Sequence, residues 1–278
     1  MRVRRLNRVE LLLPAEDIPH AVQVFNDALG GHLPEPEDLD DVKVRTTTDF
    51  AMGIELFGPL DDTSPLAGVF DRKPRRGSIG PIVWEVEDLD ATRAFVESQG
   101  YRVVYEFGSP GQRQIHLDED QLFGFGLTFT EQSREDAGSP MSFGAKFQRV
   151  ELMVDGEHIE SAREAFAELL GASFSPTRHY PGPDILSSTD DFVGLELLAP
   201  GSATSQIAPL FQAKGRGGIG PLVWKVDDLD ETTKAIVDRG YGIQYEFGEP
   251  GGRQVHFDAE QFFGFGVTIT ERELGQHL

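Results

Sequence analysis

A chain of 278 residues with no cysteine and a formal net charge of −22, from 47 acidic against 25 basic residues, excludes several classes of protein at once. Without cysteine there is no disulfide framework, no thiolate metal site and no cysteine nucleophile, and so acidic a surface repels the phosphates of nucleic acid. No apolar run is long enough to cross a membrane and the N-terminus lacks the shape of a secretion signal, so the sequence reads as a soluble, cytoplasmic protein without nucleic-acid or membrane partners.

Taken in chain order, residues 9–13 form a first strand, and Ile18–Leu29 a helix stopped by Gly30-Gly31. A weak strand is expected at 31–36, where Pro34 and Pro36 suit only an edge. Strands follow near 42–47 and 52–57. Residues 82–86 open a second unit. There Asp88-Leu89-Asp90 caps a helix over 91–99 that ends at Gly100, and strands follow at 101–107, 113–118 and 124–131. Ser109-Pro110-Gly111 turns the chain between the first two of these. Each half is thus a βαβββ module.

The same text then recurs. Residues 77–131 and 217–271 align without a gap at an offset of 140, with 31 of 55 positions identical. Arg8-Val9-Glu10-Leu11 returns as Arg149-Val150-Glu151-Leu152, and Gly53-Ile54-Glu55-Leu56 as Gly194-Leu195-Glu196-Leu197, both at an offset of 141. Repetition at this length means two copies of one domain. The expected division is domain 1 at 1–131, a polar linker at 132–144 and domain 2 at 145–278, each domain large enough to bury a core.

Four βαβββ modules in register resemble the vicinal-oxygen-chelate superfamily, the group of glyoxalases, bleomycin-resistance proteins and extradiol dioxygenases. The resemblance is carried by Arg149-Val-Glu-Leu-Met-Val with its helix ending in Leu170-Gly171, and by Pro221-Leu-Val-Trp-Lys-Val-Asp-Asp-Leu-Asp230. It implies an α+β fold: two tandem glyoxalase-like domains, each with a cup-shaped mixed sheet. Alternation along the strands turns Arg8, Glu10, Glu55, Glu85, Gln114, His116 and Asp118 to the first cup. It turns Arg149, Glu151, Glu196, Lys225, Gln254, His256 and Asp258 to the second.

The resemblance also implies metal ligands at four places per domain. Those places hold Arg8, Glu55, Pro81 and Thr128 or Thr130, then Arg149, Glu196, Pro221 and Thr268 or Thr270. Only the glutamates are good ligands, because arginine stays protonated and proline offers no donor. Two readings are open. Arg8–Glu55 and Arg149–Glu196 ion pairs fill the vacated space, and no metal is needed. Alternatively a divalent iron, manganese, zinc or nickel ion sits on Glu10, Glu55 and His116, or on Glu151, Glu196 and His256.

His116, His256, Glu10 and Glu151 are the candidate catalytic groups. Arg8, Glu55, Glu85, Gln114, Arg149, Glu196, Lys225 and Gln254 are the candidate substrate contacts. The expectation is an isomerase, epimerase or lyase working by acid–base chemistry on a small carbonyl compound, as a monomer or homodimer. The alternatives are non-catalytic sequestration of a ligand, as in bleomycin resistance, and a metal-dependent dioxygenase or lyase with relocated ligands. Glu106–Arg113 and Glu246–Arg253 are expected as cross-strand ion pairs. Asp118 with Gln121, and Asp258 with Gln261, are expected to organise loops. Trp84 and Trp224 are expected in the core.

Overall fold

The computed structural model describes residues 3–64, 67–70, 77–134, 141–214 and 217–273. Of the expected linker, residues 135–140 lie outside the described residues. The first repeat contains β1 (Val3–Leu12), α1 (Ile18–Leu29), β2 (Glu37–Leu39), β3 (Val44–Asp49), β4 (Ile54–Pro59), α2 (Ala67–Phe70), β5 (Ile79–Val86), α3 (Leu89–Ser98), β6 (Val103–Phe107), β7 (Gln114–Leu117) and β8 (Leu127–Thr130). The second contains β9 (Lys146–Met153), α4 (Ile159–Leu170), β10 (Arg178–Tyr180), β11 (Ile185–Asp190), β12 (Leu195–Pro200), α5 (Ala208–Lys214), β13 (Ile219–Lys225), α6 (Leu229–Asp238), β14 (Ile243–Phe247), β15 (Gln254–Phe257) and β16 (Val267–Thr270).

The strands build two eight-stranded mixed sheets, β2-β3-β4-β1-β5-β8-β7-β6 and β10-β11-β12-β9-β13-β16-β15-β14. Each sheet stays within one sequence repeat. The α+β fold of two tandem glyoxalase-like domains is therefore as the sequence implied.

Local chemistry explains the element ends. Gly30 and Gly171 take left-handed conformations (φ 64° and 66°) that stop α1 and α4. Asp88 and Asp228 accept hydrogen bonds from the Ala91 and Glu231 amides and start α3 and α6. The strand expected at 31–36 falls instead at Glu37–Leu39, just past Pro34 and Pro36, which have no amide to donate to a ladder. Gly126 and Gly266 give close approach: a Cβ there would stand 3.1 Å and 2.9 Å from the Cα atoms of Pro81 and Pro221.

The chain divides into two compact units: Met1–Arg8 with Pro81–Glu135 and Arg149–Gly220, and Val9–Gly80 with Asp136–Gln148 and Pro221–Leu278. In the first, Trp84 is fully buried and its indole N–H donates to the Val193 carbonyl at 2.8 Å. In the second, Trp224 is buried likewise and donates to the Met52 carbonyl at 2.9 Å. Both tryptophans are core residues, each with its one polar atom satisfied. Among the described residues, no helix is long and apolar enough to cross a membrane.

Candidate functional site

In the first unit, β9 and β12 run parallel with Glu151 opposite Glu196. Two carboxylates so placed repel unless a cation lies between them. Arg149 is that cation. It is fully buried, its Nε donates to Glu196 Oε2 at 2.8 Å, and its Nη2 donates to Glu151 Oε1 at 3.2 Å. Ser187 donates to the other Glu196 oxygen at 2.7 Å. Burial alone would lower the guanidinium pKa, but Glu196 and Glu151 outweigh it and hold the pKa above its usual value.

The same unit holds Arg8, Gln114 and His116. Arg8 is buried, with Nη1 donating to Asn7 Oδ1 at 3.0 Å and Nη2 to Gln114 Oε1 at 3.3 Å. His116 lies directly opposite Thr128 on the β7–β8 ladder, and its Nδ1 is 2.7 Å from the Thr128 hydroxyl. That threonine occupies an expected metal-ligand position and serves instead to fix the imidazole. Burial first, and the charge of Arg8 second, push the His116 pKa down to about 4, so the ring is neutral at neutral pH.

In the second unit, Glu10 lies opposite Glu55 on the β1–β4 ladder, and Thr46 donates to Glu55 at 2.8 Å. On the same face, Leu12, Val44 and Phe57 form a small apolar cluster. Gln254 is buried here. His256 repeats the ladder contact with Thr268 at 2.7 Å. The two alternative metal sets are therefore split, with Glu10, Glu55 and His256 in the second unit and Glu151, Glu196 and His116 in the first. The one grouping of metal-type ligands among the described residues is the exposed Asp155, Glu157 and His158, which sequence reasoning did not single out.

One expectation, the Glu246–Arg253 pair, needs correction, and three others meet partners that the sequence did not show. Glu85 is held within the protein. Its fully buried carboxylate meets Arg4 at 3.2 Å, Arg5 at 3.4 Å, Ser133 at 3.3 Å and the Arg134 amide at 3.0 Å. Lys225 is engaged in the same way, by Glu273 and the Val226 carbonyl, both at 3.0 Å. The charge difference between the two positions therefore answers a charge difference in their partners. Arg113 binds chiefly Glu131 at 3.1 Å and Asp90 at 2.9 Å, with Glu106 farther off at 3.8 Å. Arg253 binds Asp230 at 2.6 Å and Glu271 at 3.3 Å in place of Glu246. Glu106 and Glu246 lie opposite Ile115 and Val255, out of register with the arginines. Asp118 and Asp258 do organise loops, each accepting an amide of the 3-10 turn that follows, while Gln121 and Gln261 pin the Arg102 and Gly242 amides.

No family model matches the chain. The ethylmalonyl-CoA/methylmalonyl-CoA epimerase of Cereibacter sphaeroides is 36% identical to it over 104 residues, 37% of this chain and 75% of that protein. Among solved structures, a mutant 4-hydroxymandelate synthase from Streptomyces coelicolor matches with a TM-score of 0.78 at 13% identity, over 99% of this chain and 94% of that one. The Mn(II)-bound glyoxalase from Novosphingobium aromaticivorans matches with a TM-score of 0.63 at 16% identity, over 98% of this chain and 83% of that one. At such identities the structures establish likeness of fold. The chain belongs to the vicinal-oxygen-chelate superfamily, as a member with two tandem domains.

Proposed function

We propose that the chain is an enzyme that moves the proton on the carbon next to a carbonyl, an epimerase- or isomerase-type reaction on a small organic molecule. The observation that carries this reading is the state of His116. Its Nδ1 is fixed by Thr128, that hydroxyl is its one hydrogen-bond partner among the described residues, and its ring is neutral. In the tautomer where Thr128 donates to Nδ1, the proton sits on Nε2, free to donate to a carbonyl oxygen. A neutral imidazole in that role stabilises the enolate that forms when the neighbouring carbon loses its proton. A pKa of about 4 makes the ring a poor base. The proton therefore falls to a carboxylate of the same unit: Glu151 for His116, and Glu10 for its counterpart His256. The epimerase relative supports the same reaction class.

Many members of the superfamily use a metal for this work, but the donors around Arg149 do not fit one. Both carboxylates that would hold a divalent cation are bonded to a buried guanidinium, whose charge opposes the ion.

The test is deuterium wash-in at that carbon, followed by proton NMR in D2O, with methylmalonyl-CoA and simple 2-oxo acids as probes. The wild type is expected to accelerate wash-in for at least one probe, and His116→Ala with His256→Ala to lose a hundredfold or more, roughly the worth of one oxyanion donor. Wash-in that is unchanged in the double variant, or absent for every probe, contradicts the proposal. Sequestration of a ligand without turnover is the second reading, favoured by the exposed aromatic side chains of β6 and β14. Saturable binding without wash-in would establish it.

A further inference from the structure

Strand β6 is an edge strand whose aromatic side chains lie open: Tyr105 is 52% and Phe107 is 44% exposed. Exposed aromatics on an edge are a liability that folded proteins usually avoid. Their placement is specific. A register shift between Val103 and Tyr105 puts one extra residue on β6. Without it Val104 would face His116. With it Tyr105 does, and Phe107 faces Gln114. Bulges of this kind re-aim a side chain. The Tyr105 and Phe107 rings lie nearly parallel, 6.4 Å apart and at 11°, and the Tyr105 ring adjoins the His116 ring at 5.6 Å.

The geometry points to an aromatic platform, Tyr105 with Phe107, that takes the flat conjugated body of a carbonyl compound and presents its oxygen to His116 Nε2. The substrate class is thus an aryl or otherwise conjugated ketone or acyl compound. This assignment rests on the reading of His116 as the carbonyl-facing group. In the second unit the matching shift aims Tyr245 at His256, but there the two rings lie face to face at 4.1 Å and 19°, and His256 is buried. Tyr245 lies flat over its buried histidine, whereas Tyr105 stands tilted at 43° from a His116 that is only half-buried, so the ligand is assigned to the first repeat.

The probe is 6-propionyl-2-dimethylaminonaphthalene, a fluorescent naphthyl ketone, titrated against the full chain. Saturable binding is expected, weakened about tenfold or more in Tyr105→Ala/Phe107→Ala, the order of one to two lost aromatic contacts. It should change less than about twofold in Tyr245→Ala/Phe247→Ala. Acetophenone should displace the probe at lower concentration than cyclohexyl methyl ketone. Absence of saturable binding, an unaffected Tyr105/Phe107 variant, equal losses in the two variants or equal displacement by the two ketones overturns the proposal. These side chains are exposed, so their removal leaves the fold intact, which circular dichroism checks. The binding readout is independent of turnover. If wash-in fails while binding follows Tyr105, the platform stands and the chemistry falls; the converse result removes the platform alone.

Discussion

Replacing Arg149 by methionine is expected to lower the unfolding free energy by about 3–5 kcal/mol at pH 7, the usual cost of stripping one partner from a buried ion pair. The thermal midpoint should fall on the order of 10 °C. The cost comes from what is left behind: Glu151 and Glu196 stay buried side by side without the cation that lies between them. Two consequences separate this from loss of packing. Carboxylates that are buried and unpaired have their pKa raised above the unfolded value, so the penalty is present above that raised pKa and is relieved as pH falls through it. The variant should therefore regain stability relative to wild type on mild acidification. Replacing all three groups with apolar residues, Arg149→Met, Glu151→Leu and Glu196→Leu, should recover most of the loss. A cost below about 1 kcal/mol, in the range of a surface pair, with no pH dependence, would mean that the cluster is not held together by charge.

The second large effect is a pH dependence centred on His116. Its folded pKa of about 4 lies below the ordinary value of 6.5. Between these two values the unfolded chain binds the proton and the folded chain does not, so stability rises with pH across that window. Read downward, stability attributable to His116 is intact above pH 6.5, is lost progressively as pH falls toward 4, and changes no further below. A shift of this size corresponds to at most roughly 3 kcal/mol. Chemical denaturation of wild type and His116→Gln at several pH values isolates the contribution, since the other acidic groups are common to both. The difference between the two proteins should change across pH 6.5 to 4 with that sign. A difference that is flat in pH would place His116 in a water-like setting and remove the basis for its neutral, donating role.

Much of the fold was legible because the chain repeats itself, and because strand and helix periodicities and capping residues act locally. Ile18–Leu29 is bounded as its sequence suggests, since Gly30 supplies the left-handed stop within the segment. The Arg149–Glu196 pair was legible too, as a charge complement at matching positions. Three features were not. The Arg4 and Arg5 contacts to Glu85 join residues about eighty positions apart, and alternation along β5 says nothing of what covers it. The bulge in β6 breaks the strict two-residue period on which face assignments rest, so Tyr105 and Phe107 escaped notice as neighbours of His116 and Gln114. The pairing of His116 with Thr128 depends on antiparallel register, which local pattern does not fix. The open cup implied by the resemblance also meets a buried reality at its polar residues: Arg8, Glu10, Arg149, Glu151 and Glu196 are all shielded from solvent.

On the proposed reading the Arg149 guanidinium takes the place of a metal. The direct measurement is elemental analysis of the untagged protein, before and after incubation with iron, manganese, zinc and nickel and removal of free ions. The exposed Asp155 and His158 are replaced by alanine in a parallel sample to discount surface binding. The prediction is no stoichiometric metal in either sample and an unchanged thermal midpoint. One equivalent of tightly held metal that survives those surface substitutions would contradict it, and would require the glutamates to be released from Arg149.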